Sequence, residues 1–144
     1  MKKHISGLLA ACIIAFGILT PCHAEEIEPH RASEYLLSYA VIMSAPHGQT
    51  GVLEIVITVT AAGYMTSVGA TSVKIYEENG TLVKSVTGTS SNGLLHLHTA
   101  AGYAGSYIFD EAVSGESYYA EVTVYAGNST GSDSRTVTTR VVEA

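Results

Sequence analysis

The 144-residue chain has no tryptophan, two phenylalanines, three prolines and two cysteines. Both cysteines, Cys12 and Cys22, lie in a leader-like segment. Lys2 and Lys3 begin it, Ile5 to Leu19 is nearly all apolar and uncharged, and Pro21 closes the run before Cys22-His23-Ala24. A basic start, a short apolar stretch and a small-x-Ala end describe a secretory signal peptide, with Glu25 as the first mature residue. The run is short for a membrane span and no stop-transfer flank follows. Leu9-Ala10-Ala11-Cys12 spells a lipobox but sits too early, and Pro21 spoils the better-placed Leu19-Thr20-Pro21-Cys22. Free secretion is the expectation, without stable membrane insertion. A mature chain without cysteine excludes a disulfide scaffold, a thiolate nucleophile and a Cys-ligated metal.

Positive charge is scarce too. Seven basic residues stand against thirteen acidic ones; without Lys2 and Lys3 the balance is five against thirteen, a net charge of −8. Arg31, Lys74, Lys84, Arg135 and Arg140 are scattered, so nucleic acid and anionic membrane are not expected partners. The acidity is read as a device for solubility, and the chain is expected to be a monomer.

What the sequence does have is alternation. In Gly115–Arg140, Tyr118, Ala120, Val122, Val124 and Ala126 fall on one parity, and Tyr119, Glu121, Thr123 and Tyr125 on the other. That period marks a strand with one face on a core and one in water. Leu53, Ile55, Ile57 and Val59 repeat the pattern within a strand at 52–60, with Glu54, Thr58 and Thr60 outward. Tyr35, Leu37, Tyr39, Val41 and Met43 share a parity that suits a first strand, although Ser33 is also placed to cap a helical turn. Asn79-Gly80 between alternating runs predicts a hairpin of 72–77 with 82–87, with positive φ at both central residues. Further short strands are expected at 94–99, 106–110 and 136–142, with Leu95 and Leu97 inward. The Gly-rich connection 61–71 holds Tyr64, Met65 and Val68, either an exposed binding tip or a plug for one end of the core. No helical period runs beyond the leader.

These features predict an all-β fold, a single antiparallel β-sandwich of seven to eight strands. Residues 1–24 are the signal peptide, 25–34 a flexible N-terminal arm and 35–144 the domain. Gly115-Glu116-Ser117-Tyr118 and Asn128-Ser129-Thr130-Gly131 resemble the corner before, and the loop after, the next-to-last strand of fibronectin type III and related immunoglobulin-like modules. The resemblance implies that Tyr118 is a corner tyrosine, with buried ring and backbone-bonded hydroxyl. Ala120 stands where true immunoglobulin domains carry cysteine, and Leu53, Ile55 and Ile57 must fill the volume of the missing tryptophan. The segments ATSVKIYEENG and YYAEVTVYAGNSTGSDSRT also resemble short secreted proteins of unknown function from Gram-positive bacteria, which implies secretion but no activity.

Motifs for chemistry are thin. His96 and His98, two apart on a strand, point the same way, as ligands of zinc or copper do in β-proteins. A site would need a further ligand, such as His30, His47, Asp110 or Glu116. Glu77/Glu78 and Asp110/Glu111 are sequence neighbours, which point to opposite strand faces and do not make an acid/base pair at about 5–9 Å. The letters Gly-x-Ser-x-Gly occur at Gly127-Asn128-Ser129-Thr130-Gly131, but between two expected strands and without the following helix that a nucleophile elbow needs, and His-Glu-x-x-His does not occur. In 128–133 Asp133 is the one carboxylate, too few for calcium. Asn79-Gly80-Thr81 and Asn128-Ser129-Thr130 are glycosylation sequons. Outward Tyr76, Tyr119 and Tyr125, with Tyr64, offer either a contact surface for a protein or glycan or simple cross-strand pairs.

The expectation is a secreted, non-catalytic binding or adhesion-type module without a cofactor or assigned metal residues. The alternatives are a small metal-binding protein using His96 and His98 and a self-assembling module that adds strands edge to edge.

Overall fold

The computed structural model describes residues 33–144. The expected signal peptide, Cys12, Cys22, His30, Arg31 and most of the 25–34 arm lie outside them. Nine strands follow in order: β1 (Leu36–Ser44), β2 (Leu53–Met65), β3 (Ser67–Glu77), β4 (Leu82–Thr87), β5 (Leu95–His96), β6 (Ala100–Phe109), β7 (Ser117–Asn128), β8 (Gly131–Thr138) and β9 (Val142–Glu143). They form two antiparallel sheets. One has the order β1-β2-β6; the other runs β4-β3-β7-β8, with β5 on β3 and β9 on β7. Seven are substantial strands, and β5 and β9 are two-residue additions.

The alternating apolar residues form one core between the sheets, a β-sandwich-like arrangement. Leu53, Ile55, Ile57 and Val59 are buried from one side, and Tyr118, Ala120, Val122, Val124 and Ala126 from the other. Phe109 and Tyr118 meet edge to face at 5.9 Å, linking β6 of one sheet to β7 of the other. The Tyr118 hydroxyl accepts the Val113 N–H at 2.9 Å, tying the turn before β7 to the ring that anchors it.

Several expectations need correction. β1 does not keep one parity: a bulge between Leu36 and Ser38 turns Leu36 inward and leaves Leu37 in solvent. Ser33 caps no helix; its Oγ accepts the Leu36 N–H at 2.7 Å as the chain enters β1. The 61–71 connection is strand almost throughout. β2 bulges between Thr60 and Met65, and the chain changes sheets at Thr66, whose N–H donates to the Gly127 carbonyl at 3.0 Å. Met65 and Val68 plug the core there, whereas Tyr64 stands outside.

The β3–β4 turn differs from the expected form with two positive φ angles. Only Gly80 has positive φ, 90°, and Gly80 N–H donates to Glu77 carbonyl while Glu77 N–H donates to Thr81 carbonyl. This is a β-turn followed by a left-handed glycine, a three-residue hairpin loop. The small-residue stretch at 100–105 belongs to β6, and β8 starts at Gly131 and not near 136. Gly, Ser and Asp have poor strand propensity, but pairing along β2 and β7 decides these segments. At 94–99 only Leu95–His96 is strand; Leu94 is the buried residue and Leu97 is exposed.

Thr139 bridges the gap between β8 and β9. Its backbone N–H donates to the Ala120 carbonyl, and its Oγ1 accepts the buried Ala120 N–H at 2.9 Å. Thr139→Val keeps the shape and removes that acceptor. It is expected to lower unfolding free energy by about 1–3 kcal/mol in urea titrations, the cost of a buried donor left unmet. A loss within measurement error would show that Oγ1 does not hold β7 at this point.

Candidate functional site

The outer face of the β4-β3-β7-β8 sheet gathers the best candidates. Antiparallel register sets Tyr76 directly opposite Tyr119 and Lys74 opposite Glu121. The two tyrosine rings stack at 5.1 Å with an interplanar angle of 13°. The Tyr76 hydroxyl donates to Glu121 Oε2 at 3.1 Å. Desolvation, then the Glu121 carboxylate, hold the Tyr76 phenol above its ordinary value of 10.0, so at neutral pH it stays a donor. Farther along, Thr123 and Thr136 hydroxyls lie 3.0 Å apart. The face is thus aromatic at one end and hydroxyl-rich beyond it. It offers stacking area, hydrogen-bond capacity and one half-buried carboxylate.

The other expected tyrosines do not join this pair. Tyr125 is on the same face but six residues along β7, about 20 Å from Tyr119. It lies across Gly127, where a Cβ would meet its ring and hydroxyl. Tyr64 belongs to the β2 bulge and is 76% exposed.

His96 and His98 do come together. Their rings stack at 4.9 Å, and His96 also meets the edge of Tyr103 at 4.9 Å. Burial raises the Tyr103 phenol above its ordinary value of 10.0. Among the described residues, no group of three or more His, Cys, Asp or Glu side chains is placed to hold a metal ion. The pair therefore presents two imidazoles whose visible partners are rings.

The acidic residues are distributed in a way the sequence did not indicate. Glu116 comes beside Glu77 and Glu78 in an open cleft of about 480 Å³ between two turns, also lined by Asn79, Gly115 and Ser117. Glu111 forms an ion pair with Lys84 at 2.7 Å, whose bond holds the lysine above its ordinary 10.5. Asp133 is bound by Arg135 at 2.8 Å. A hydrogen bond from Ser33, and then Arg135, hold its carboxyl below the ordinary 3.8. Both sequon asparagines serve their own turns: Asn79 Oδ1 accepts the Thr81 N–H and Asn128 Oδ1 accepts the Thr130 N–H. Asn92, which strand period does not single out, joins Thr87, Thr89 and Leu94 through its side chain and shapes the loop before β5. An Asn among Ser, Thr and Gly is the turn signal that marked it.

No family model, curated protein or solved structure matches the chain. Among the described residues, no helix is long and apolar enough to cross a membrane.

Proposed function

We propose that this chain is a secreted, non-catalytic binding module with an immunoglobulin-like, fibronectin type III-like sandwich, and that it grips a protein or glycan on the outer face of its six-stranded sheet. The fold reading is supported by the strand order β1-β2-β6 facing β4-β3-β7-β8 and by Tyr118 at the corner before β7. Secretion rests on the leader-like residues 1–24 alone.

The observation that carries the binding reading is the Tyr76–Tyr119 stack with Glu121 beside it. Two rings fixed by register and a hydrogen bond are already ordered before any ligand arrives. Little side-chain entropy then remains to be lost on contact. A planar aromatic step flanked by a carboxylate and hydroxyls suits a sugar ring or a partner's apolar side chain with polar edges.

The test is a glycan array together with a cell-surface binding screen, using the parent chain and Tyr119→Ala. Binding to some member is expected, weakened at least about tenfold by the substitution, as for an interfacial aromatic anchor. No binding in either screen, or equal binding by a folded Tyr119→Ala variant, overturns the proposal.

A further inference from the structure

We propose that the outer edge of β6 is a self-pairing edge, on which a second copy of this chain lays its own β6 antiparallel. Among the described residues β6 is hydrogen-bonded to β2 on one side and to no strand on the other. Such an edge presents unpaired backbone N–H and C=O groups, and proteins usually guard it with charge, proline or a bulge. The edges of the other sheet are guarded: β4 carries Lys84, and β8 carries Asp133 and Arg135. β6 reads AAGYAGSYIF, ten residues with no charge and no proline, and it keeps regular register with β2 from Gly102 to Phe109. Lys84 of β4 comes near Tyr107 but reaches Glu111, two residues past the end of β6, at 2.7 Å.

The occupant follows from the sequence of the strand itself. Around Gly105 it is close to palindromic: Tyr103-Ala104-Gly105-Ser106-Tyr107. A two-fold axis at Gly105 sets Gly105 against its copy, Ala104 against Ser106 and Tyr103 against Tyr107. Small residues then meet small ones at the centre, where backbones must approach. Tyr103 already lies across its own Gly105, covering the inner side of the strand centre. On the outer face the row from exposed Ile42 through exposed Val56 reaches Ser106 on β6, while exposed Ile108 lies opposite Glu54 and diagonal to Val56. The remaining edge, β1, is also uncharged but lacks this symmetry, and just before it Tyr35 lies on Gly131 at the start of β8. This departs from the monomeric state expected from the sequence, and it is independent of the tyrosine face on the other sheet.

The test is sedimentation velocity of the full chain from micromolar to several hundred micromolar, with amide hydrogen exchange at both ends of that range. A monomer–dimer equilibrium that stops at two copies is expected, with slower exchange on rising concentration in Ala100–Phe109. Ser106→Lys and Ala104→Lys, at exposed positions, are each expected to raise the dimer dissociation constant about tenfold or more. Ser134→Lys on β8 leaves it unchanged. Monomer at every concentration, growth beyond the dimer, protection gained on β1, β4 or β8 instead, or undiminished pairing by a folded lysine variant each overturns the proposal. Exchange on the unsubstituted chain decides the matter even where a variant fails to fold.

Discussion

Tyr118→Ala is expected to lower the unfolding free energy by about 3–5 kcal/mol, the usual cost of truncating a buried aromatic residue. The ring is 3% exposed and is one half of the Phe109–Tyr118 contact between the sheets. A domain of this size is stable by only about 5–15 kcal/mol, so the variant sits close to unfolding at ambient temperature. Tyr118→Phe separates ring from hydroxyl. It keeps the contact with Phe109 and removes the acceptor of the Val113 N–H. A smaller loss of about 1–2 kcal/mol is expected, because that donor regains only part of its hydration. Urea titrations followed by far-ultraviolet circular dichroism give both values. A Phe variant as stable as the parent would mean that the hydroxyl does not lock the corner.

Gly69→Ala is expected to cost of the order of 2–5 kcal/mol, more than its small change in volume suggests. Gly69 has φ of +144°, a conformation that residues with a Cβ rarely adopt. An added Cβ would also run into the Leu94 carbonyl oxygen of the chain leading into β5. That carbonyl cannot simply move away, because it accepts the Ala70 N–H at 2.7 Å. The expected result is therefore loss of β5 from β3 together with a drop in midpoint, seen as faster amide exchange at Leu95 and His96. Gly63→Ala is the control, since a Cβ there meets nothing within 4 Å and φ is ordinary. Equal stability of the Gly69→Ala and Gly63→Ala variants would contradict the assigned strain.

The readable parts of the candidate site follow from strand period. Tyr76, Tyr119 and Glu121 occupy outward parity in runs whose inward partners are Ile75, Ala120 and Val122. Their placement on an outer face was visible without a structure. Their meeting was not, because parity fixes which face a side chain uses and says nothing of which strand lies alongside. Register put Tyr76 opposite Tyr119 across more than forty intervening residues. The His96–His98 stack was half legible for the same reason. Spacing put the two rings together, but Tyr103 reached His96 through the fold.

Misreadings cluster where glycine and bulges break the period. A bulge shifts parity by one residue, so the rule that succeeded for Leu53 to Val59 failed for Leu36 and Leu37. The stretches 61–71, 100–105 and 131–135 looked like loops because Gly, Ser, Ala and Asp are weak strand formers. They are strands because a neighbouring strand supplies the hydrogen bonds that local preference does not.

By itself, the order of residues determined that this domain is all-β, which faces of its longest strands are oily, and that Tyr118 would be buried where the chain turns into β7. These depend on the alternation of neighbouring side chains and on hydration, both local properties. Only the tertiary structure decided strand order, the switch of sheets at Thr66, the tyrosine stack and the uncharged β6 edge. Each of these depends on which distant segments share a hydrogen-bonded ladder, and that choice is made by burying both inner faces at once.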